Sequence, residues 1–421
     1  MLDEVFFAWE GAAYPDGPWR HLRVLEVTGE EAISALYSFS IELVRLADAP
    51  EVDVDDLVGT RAALRIVTRT APESRLIHGV VASAEEIGEI DSGTRYRVVL
   101  APPLVRATMM RKSLVYLDKT LLEIIEAVLT RSAWGAGLEA SAGEGDDDDG
   151  DMSVFVPATA TFALRCIDLS RLGDRDARPY CVQYGESDIA FVSRLLEEEG
   201  VSYHFEHRHA ECVFVMTDFD GGRPELPSGA PLGPAILGRE ASSWRSGKRL
   251  RPRSVSMHDV SWRKPELSLL AVSPSGIGDF QDHEYPGRYE HAVATGERLA
   301  EKREERLDAE RQWASAEVRC RLLGAGTVFW LDHESDRLTG SYVVTAIRHA
   351  MRSRGSFGAS GANEEIFFSR CARNSFASAG SRRSISPATG SSRSWNPTTN
   401  SRPPGAACGS INSPTPDACE R

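Results

Sequence analysis

Three histidines, His204, His207 and His209, lie close enough in sequence to suggest a metal site. Zinc needs three or four such side chains converging on one point. If the segment is a strand, His204 points away from the face that carries His207, and no carboxylate or Cys triad completes a set. They read as ordinary turn histidines. Gly276-Ile277-Gly278 is a lone GxG with no apolar strand before it and no helix after it, so it lacks the setting of a nucleotide loop. Asp146 to Asp149 run consecutively. A calcium loop spaces its carboxylates, whereas four adjacent like charges repel and solvate. Acidic pairs such as Asp55–Asp56 and Glu85–Glu86 are plentiful and single out no glycosidase dyad. Neither GxSxG nor HExxH occurs. The seven cysteines, Cys166, Cys181, Cys212, Cys320, Cys371, Cys408 and Cys419, are odd in number, form no CxxC pair and read as reduced thiols. The expectation is a protein that is not an enzyme, with no catalytic, cofactor-binding or metal-binding residue and no cofactor.

The elements that would position these residues alternate between β and α character. Over residues 1–105 short strands follow one another, with Tyr37, Phe39 and Ile41 alternating with Ser38, Ser40 and Glu42. Gly59, Gly79, Gly88 and Gly93 mark turns or bulges, and strands at this spacing predict a small barrel. Leu121, Ile124, Ile125, Val128 and Leu129 then fall on one helical face. Residues 219–250 are rich in Gly, Pro and Ser and read as a connection, after which the β pattern resumes. A charged helix is expected from Ala292 to Ala316, laced with Glu–Arg neighbours and buried through Leu299, Leu307 and Trp313.

Residues 178–218 form the most structured stretch. Ser187 is placed to cap a helix, with Asp188 at the positive end of its dipole. Ile189, Val192, Leu195 and Leu196 recur at helical spacing, and Gly200 supplies the stop. Glu197, Glu198 and Glu199 sit on the last turn, where the dipole disfavours them. Val201, Tyr203 and Phe205 alternate with polar residues, as do Cys212, Phe214 and Met216 on a return strand.

The string QYGESDIAFVSRLLEEEGVSYHFEH resembles the signature of the type VI secretion spike family, VgrG, which is related to the hubs of contractile phage tails. The first strands, from EAISALYSF to YRVVLAPPL, and the segment from DHEYPGRY to GSYVVTAIRHAM are similar to the same family, so the resemblance covers about residues 1–368. It implies an α+β, mainly β fold: a first hub β-barrel (1–105), an α/β segment with the helix and hairpin (106–250), a second hub β-barrel with the charged helix (251–368), and a disordered tail (369–421). It further implies a homotrimer that caps the Hcp tube, contacts the baseplate, carries effectors and a tip-capping PAAR-type protein, and pierces a target membrane only within the assembled machine. The route would be cytoplasmic, then secretion without a signal peptide. A hub of a phage or prophage tail is the alternative, and an enzyme or effector fused to a hub the remote one.

Composition agrees with an assembly component. Net charge is −14, and residues 351–421 carry nine Arg against four acids, leaving −19 for the rest. That balance lacks the basic footprint of a nucleic-acid binder. No run approaches the roughly 18 apolar residues of a membrane helix. The N-terminus, MLDEVFFAWEG, has acids where a secretory signal has bases.

From about residue 369 the chain stops reading as folded. Its large apolar residues are Phe376, Ile385, Trp395 and Ile411. Burying all four would contribute about 12 kcal/mol, against on the order of 50–100 kcal/mol for ordering the backbone. Disorder is the expectation, and a shifted reading frame that removed a distal needle is the hypothesis for its origin.

Overall fold

A computed structural model describes residues 5–9, 22–46, 49, 51–67, 74–90, 93–131, 159–166, 177–208, 211–227, 231–276, 280–289 and 292–352, together with the backbone of 364–370. Asp146 to Asp149, His209, Ile277, Gly278 and the tail beyond 370 lie outside these residues.

The protein is mainly β, as expected, but neither barrel-like unit closes. Eleven strands form one open sheet. Its first half comprises β1 (Val5–Trp9), β2 (Leu22–Ala32), β3 (Ser38–Leu46), β4 (Arg61–Val67), β5 (Ser74–Ile90) and β6 (Gly93–Ala101), with a one-turn helix α1 (Val54–Leu57) before β4. A second short helix, α2 (Arg106–Met109), follows β6. Strict alternation buries Phe39, Ile41 and Leu43 on β3 against Val98 and Leu100 on β6. Gly29 is required on β2 because a Cβ there would enter the ring of Phe39.

The middle segment contains β7 (Arg111–Lys119), α3 (Leu121–Arg131), β8 (Thr159–Arg165), β9 (Arg178–Ser187), α4 (Asp188–Glu198), β10 (Ser202–Arg208) and β11 (Glu211–Thr217). β7 and β9 pair as a ribbon, and β10-β11-β8 make a separate sheet. The apolar faces of α3 and α4 pack with Tyr203, Phe214 and Met216 into one core. Ser187 caps α4 as the sequence predicts, its Oγ accepting from Ala190 N at 3.3 Å. The acidic C-terminal turn of α4 is stabilised from outside: Arg178 on β9 donates to Glu198 and Glu199 at 2.9 and 3.1 Å.

The last part contains β12 (Ala241–Lys248), β13 (Ser254–Asp259), β14 (Leu269–Val272), β15 (Gln281–Glu284), α5 (Val293–Arg311), β16 (Gln312–Val318), β17 (Val328–Leu331), β18 (Gly340–Arg352) and β19 (Glu364–Arg370). Two expectations are corrected here. The stretch read as a connection carries β12, a strand of the large sheet. The charged helix stops at Arg311, and Trp313 belongs to β16 instead. α5 lies on the small β14-β13-β15 sheet, with Leu299 and Leu307 packed against Val255, Met257 and Leu269. Its outer face meets the α4 turn, where Arg298 pairs with Glu199 and Arg306 with Glu197.

The large sheet is a repeat. Strands run in the order β4-β5-β6-β3-β2 in the first half, and β17, β18, β19, β16 and β12 neighbour one another in the same way in the second. The details coincide. Gly59 and Thr60 bond both backbone groups of Val81, and Gly326 and Thr327 do the same to Val344. Both glycines adopt a left-handed backbone, with φ of 84° and 87°. A bulge follows each, between Val81 and Ser83 and between Val344 and Ala346.

Candidate functional site

The repeats meet where β2 pairs antiparallel with the C-terminal half of β18, from Ala346 opposite Ala32 to Arg352 opposite Glu26. β2 carries acids and β18 carries bases. Arg348 Nε lies 3.0 Å from Glu30, both exposed, and Arg352 Nε 3.1 Å from the half-buried Glu26. Glu31 differs because it is only 7% exposed. Its Oε1 accepts from Arg75 Nη2 at 2.6 Å and sits 2.8 Å from His349 Nε2. Arg75 also donates to the carbonyl of Leu323 at 2.7 Å, so β5 of the first repeat is tied to the turn before β17 of the second.

Burial alone would raise the Glu31 pKa. The charge of Arg75 and the hydrogen bond and charge of His349 more than reverse this and hold the carboxyl well below the usual range. Glu31 is therefore an anion at any ordinary pH.

The β10–β11 hairpin is wedged against both repeats. His78 N on β5 donates to His207 Nδ1 at 3.1 Å, and His78 Nε2 lies 2.8 Å from the Arg208 carbonyl. Tyr37 packs edge-on to Phe205 with centroids 5.0 Å apart, donates to the His78 carbonyl and lies 3.7 Å from Cys212 Sγ. On the other side, His204 stands against Gly326 so closely that an added Cβ would lie 2.8 Å from its Cγ. His204 also bonds Glu206 at 3.2 Å, which Arg165 grips with two bonds of 2.5 and 2.7 Å.

These side chains are set for structure. Burial, then the charges of His78 and Arg75, push His207 down to about 3, and burial lowers His204 against the pull of Glu206. Both imidazoles are neutral near pH 7. Burial pushes the Cys212 thiol up to about 12 and raises Tyr37 well above its ordinary value. Neither is a nucleophile in this state. The expectation of turn histidines is corrected in part: His204 and His207 lie within β10, on opposite sides of the wedge. Among the described residues, no three or more His, Cys, Asp or Glu side chains group as a metal site. The roles of Glu31, Arg75, His78 and His349 were missed. Only the acid-rich β2 facing a base-rich β18 would have pointed to them, and that needs the pairing to be known.

The model of one family, the phage tail baseplate hub (GPD), matches residues 30–355. The chain belongs to that family. Among curated relatives, it is 29% identical to the type VI secretion system spike protein VgrG5 of Pseudomonas aeruginosa over 346 residues, 79% of this chain and 39% of that protein. It is 26% identical to VgrG1b of the same organism over 320 residues, 74% of this chain and 39% of the relative. The chain thus spans well under half the length of these hub-family relatives. Two solved structures share the fold. One is the E. coli c3393 protein, a type VI secretion component similar to phage T4 tail proteins gp27 and gp5, with TM-score 0.58 at 17% identity, covering 87% of this chain and 77% of that one. The other is a 43 kDa tail protein of prophage MuSo2 from Shewanella oneidensis, with TM-score 0.55 at 13% identity, covering 88% and 98%. The hub expectation drawn from residues 178–218 is borne out.

Proposed function

We propose that the protein is the hub portion of a type VI secretion spike, acting mechanically rather than catalytically. The observation that carries this is the doubled sheet: one chain presents two copies of the same strand arrangement, side by side and firmly joined. A few such chains in a ring offer a tube twice as many equivalent units as there are chains. In this reading three copies form the ring, cap an Hcp tube, contact the baseplate, and carry effectors and a PAAR-type tip once a needle is present. The identity to several spike proteins supports the secretion assignment. No described helix is long and apolar enough to cross a membrane, which suits passage as part of a machine that does the piercing. The units 1–105, 106–250 and 251–368 are proposed as its working parts, with β12 at the end of the middle stretch joining the sheet of the third.

The test is to mix the full chain with purified Hcp and image tube ends by electron microscopy. Density seated on one end of the tubes is the expected outcome, and bare ends at saturating protein would sink the assignment. A hub of a phage or prophage tail is the second reading, favoured by the near-complete coverage of the MuSo2 protein. A phage-type sheath gene beside this one would select it.

A further inference from the structure

The three glutamates that end α4 are given no task by the hub reading. Glu197, Glu198 and Glu199 stand at the negative end of the helix dipole, and what they meet is α5 and the turn before it. Arg298 pairs with Glu199, Arg306 pairs with Glu197, and Arg288 Nη1 lies 3.7 Å from Glu198. The stem of Lys302 lies over Gly200, where an added Cβ would come 2.9 Å from its Cδ.

The stretch that carries these bases is an insertion in the large sheet. β12 and β16 are neighbours, paired antiparallel from Ala241 opposite Val318 to Lys248 opposite Gln312. Residues 249–311 leave and return at one point, since Arg249 N donates to the Arg311 carbonyl at 2.8 Å. Between those ends lie β13, β14, β15 and α5, which have a core of their own. Val255, Met257, Leu269 and Ala271 pack with Leu299 and Leu307, and none of these belongs to the core of α3 and α4 or to those of the large sheet. Polar ties hold the unit together as well: Tyr289 Oη donates to the Met257 and Leu269 carbonyls at 2.8 and 2.6 Å, and Arg303 Nη1 lies 2.6 Å from Glu284. Among the described residues, the polar bonds from 249–311 to the middle segment are the three ion pairs, and no backbone hydrogen bond joins them. A unit with its own core, adjacent ends and a polar contact is built to move as a body.

We propose that residues 249–311 form a hinged lobe, which docks on the acidic end of α4 and swings clear of it about the paired ends of β12 and β16. Charge decides between the two positions. The lobe is independent of the hub reading. Both surfaces remain satisfied on release. Arg178 on β9 still donates to Glu198 and Glu199 at 2.9 and 3.1 Å, and Arg194 still reaches Glu198 at 3.2 Å. Arg306 and Glu197 are 54% and 65% exposed even while paired, so water takes the place of the bond. The screening length falls from about 10 Å at 0.1 M salt to about 3 Å at 1 M, which weakens exposed pairs most. Apolar cores are not loosened by salt, so the lobe shifts without unfolding.

Lys302 reports the position of the lobe. Its side chain is 9% exposed when docked, whereas Lys264, on the turn between β13 and β14, is exposed. The full chain is treated briefly with an acetylating reagent, and the rates at the two lysines are compared by mass spectrometry. Raising salt from about 0.1 M to about 1 M is expected to speed Lys302 by about threefold or more relative to Lys264. Arg306→Glu sets two carboxylates together and should do the same at low salt. Adding Glu197→Arg should return the rate to that of the unmodified chain. Cys212, fully buried in the wedge, should stay unreactive to a thiol reagent throughout. A Lys302 rate that ignores both salt and Arg306→Glu would overturn the proposal, as would failure of the exchanged pair to restore it. Labelling of Cys212 in step with Lys302 would also overturn it, because the opening would then be general unfolding.

Discussion

The two Gly-Thr turns have the same backbone and different surroundings. Gly59 and Gly326 share a left-handed φ and the same two hydrogen bonds to the next strand. Nothing lies within 4 Å of where a Cβ would sit on Gly59, whereas the same position on Gly326 meets the Cβ and Cγ of His204. Repetition sets the shape of the turn, and the wedge then makes one copy indispensable to the joint. The same contrast holds for charge. Glu30 and Glu31 are adjacent on β2, one pairing in solvent and one buried between Arg75 and His349.

The largest effect is expected at the buried acid. Glu31→Gln leaves the Arg75 guanidinium, itself only 11% exposed, without a counter-charge, and a loss of about 3–5 kcal/mol is expected in urea unfolding. Glu30→Gln should cost no more than about 0.5 kcal/mol. Equal losses at the two sites would break the comparison.

Gly326→Ala combines left-handed strain of roughly 1–2 kcal/mol with a collision against the rigid base of His204, so roughly 2–4 kcal/mol in all. Gly59→Ala should show the strain alone. In a double-mutant cycle, His204→Ala should recover part of the Gly326→Ala loss and none of the Gly59→Ala loss.

Stability should also depend on pH. His207 titrates near 3 when folded against an ordinary 6.5, so its contribution is complete above about pH 6.5 and is lost as pH falls toward 3. His204 acts in the same direction, and Glu31 adds its own loss at pH values below the ordinary carboxylate range. Urea midpoints should therefore be flat above pH 7 and fall on acidification. His207→Asn, which keeps an acceptor for His78 N, should make the upper part of that fall shallower. An unchanged profile would mean that His207 is not held neutral by the wedge.

The smallest effect is expected at the β7–β9 ribbon, where Tyr184 is 83% exposed. Tyr184→Ser should change stability by less than about 0.5 kcal/mol in the isolated chain.

Much of the fold was legible because local rules governed it. Ser187 capped its helix, the stripe from Leu121 to Leu129 was buried, and the alternation at Phe39 and Ile41 marked a core strand. The three glutamates ending α4 looked like a fault only because their arginine partners lie on β9 and α5, the latter about a hundred residues downstream. β12 was lost in a stretch of Ser and Gly because an edge strand needs little apolar patterning when one side alone is paired. Trp313 looked helical because it follows the α5 period by chance of position. The joint itself was invisible: Glu31, Arg75 and His349 come together through a pairing that no local pattern encodes. The repeat was hidden for a related reason, since Phe39 and Ile41 correspond to Ala314 and Ala316, which keep the burial but not the size.

The alternation of charge along the sheet edges also acts against misassembly. β2 and the outer half of β5 are both acidic, while β12 and the outer half of β18 are both basic. Bringing two edges of the same kind together would set like charges opposite one another, which is unfavourable across a strand pair. Within the chain the opposite signs meet, Glu30 against Arg348 and Glu26 against Arg352, so the charges favour the β2–β18 pairing over a pairing of either strand with one of its own sign.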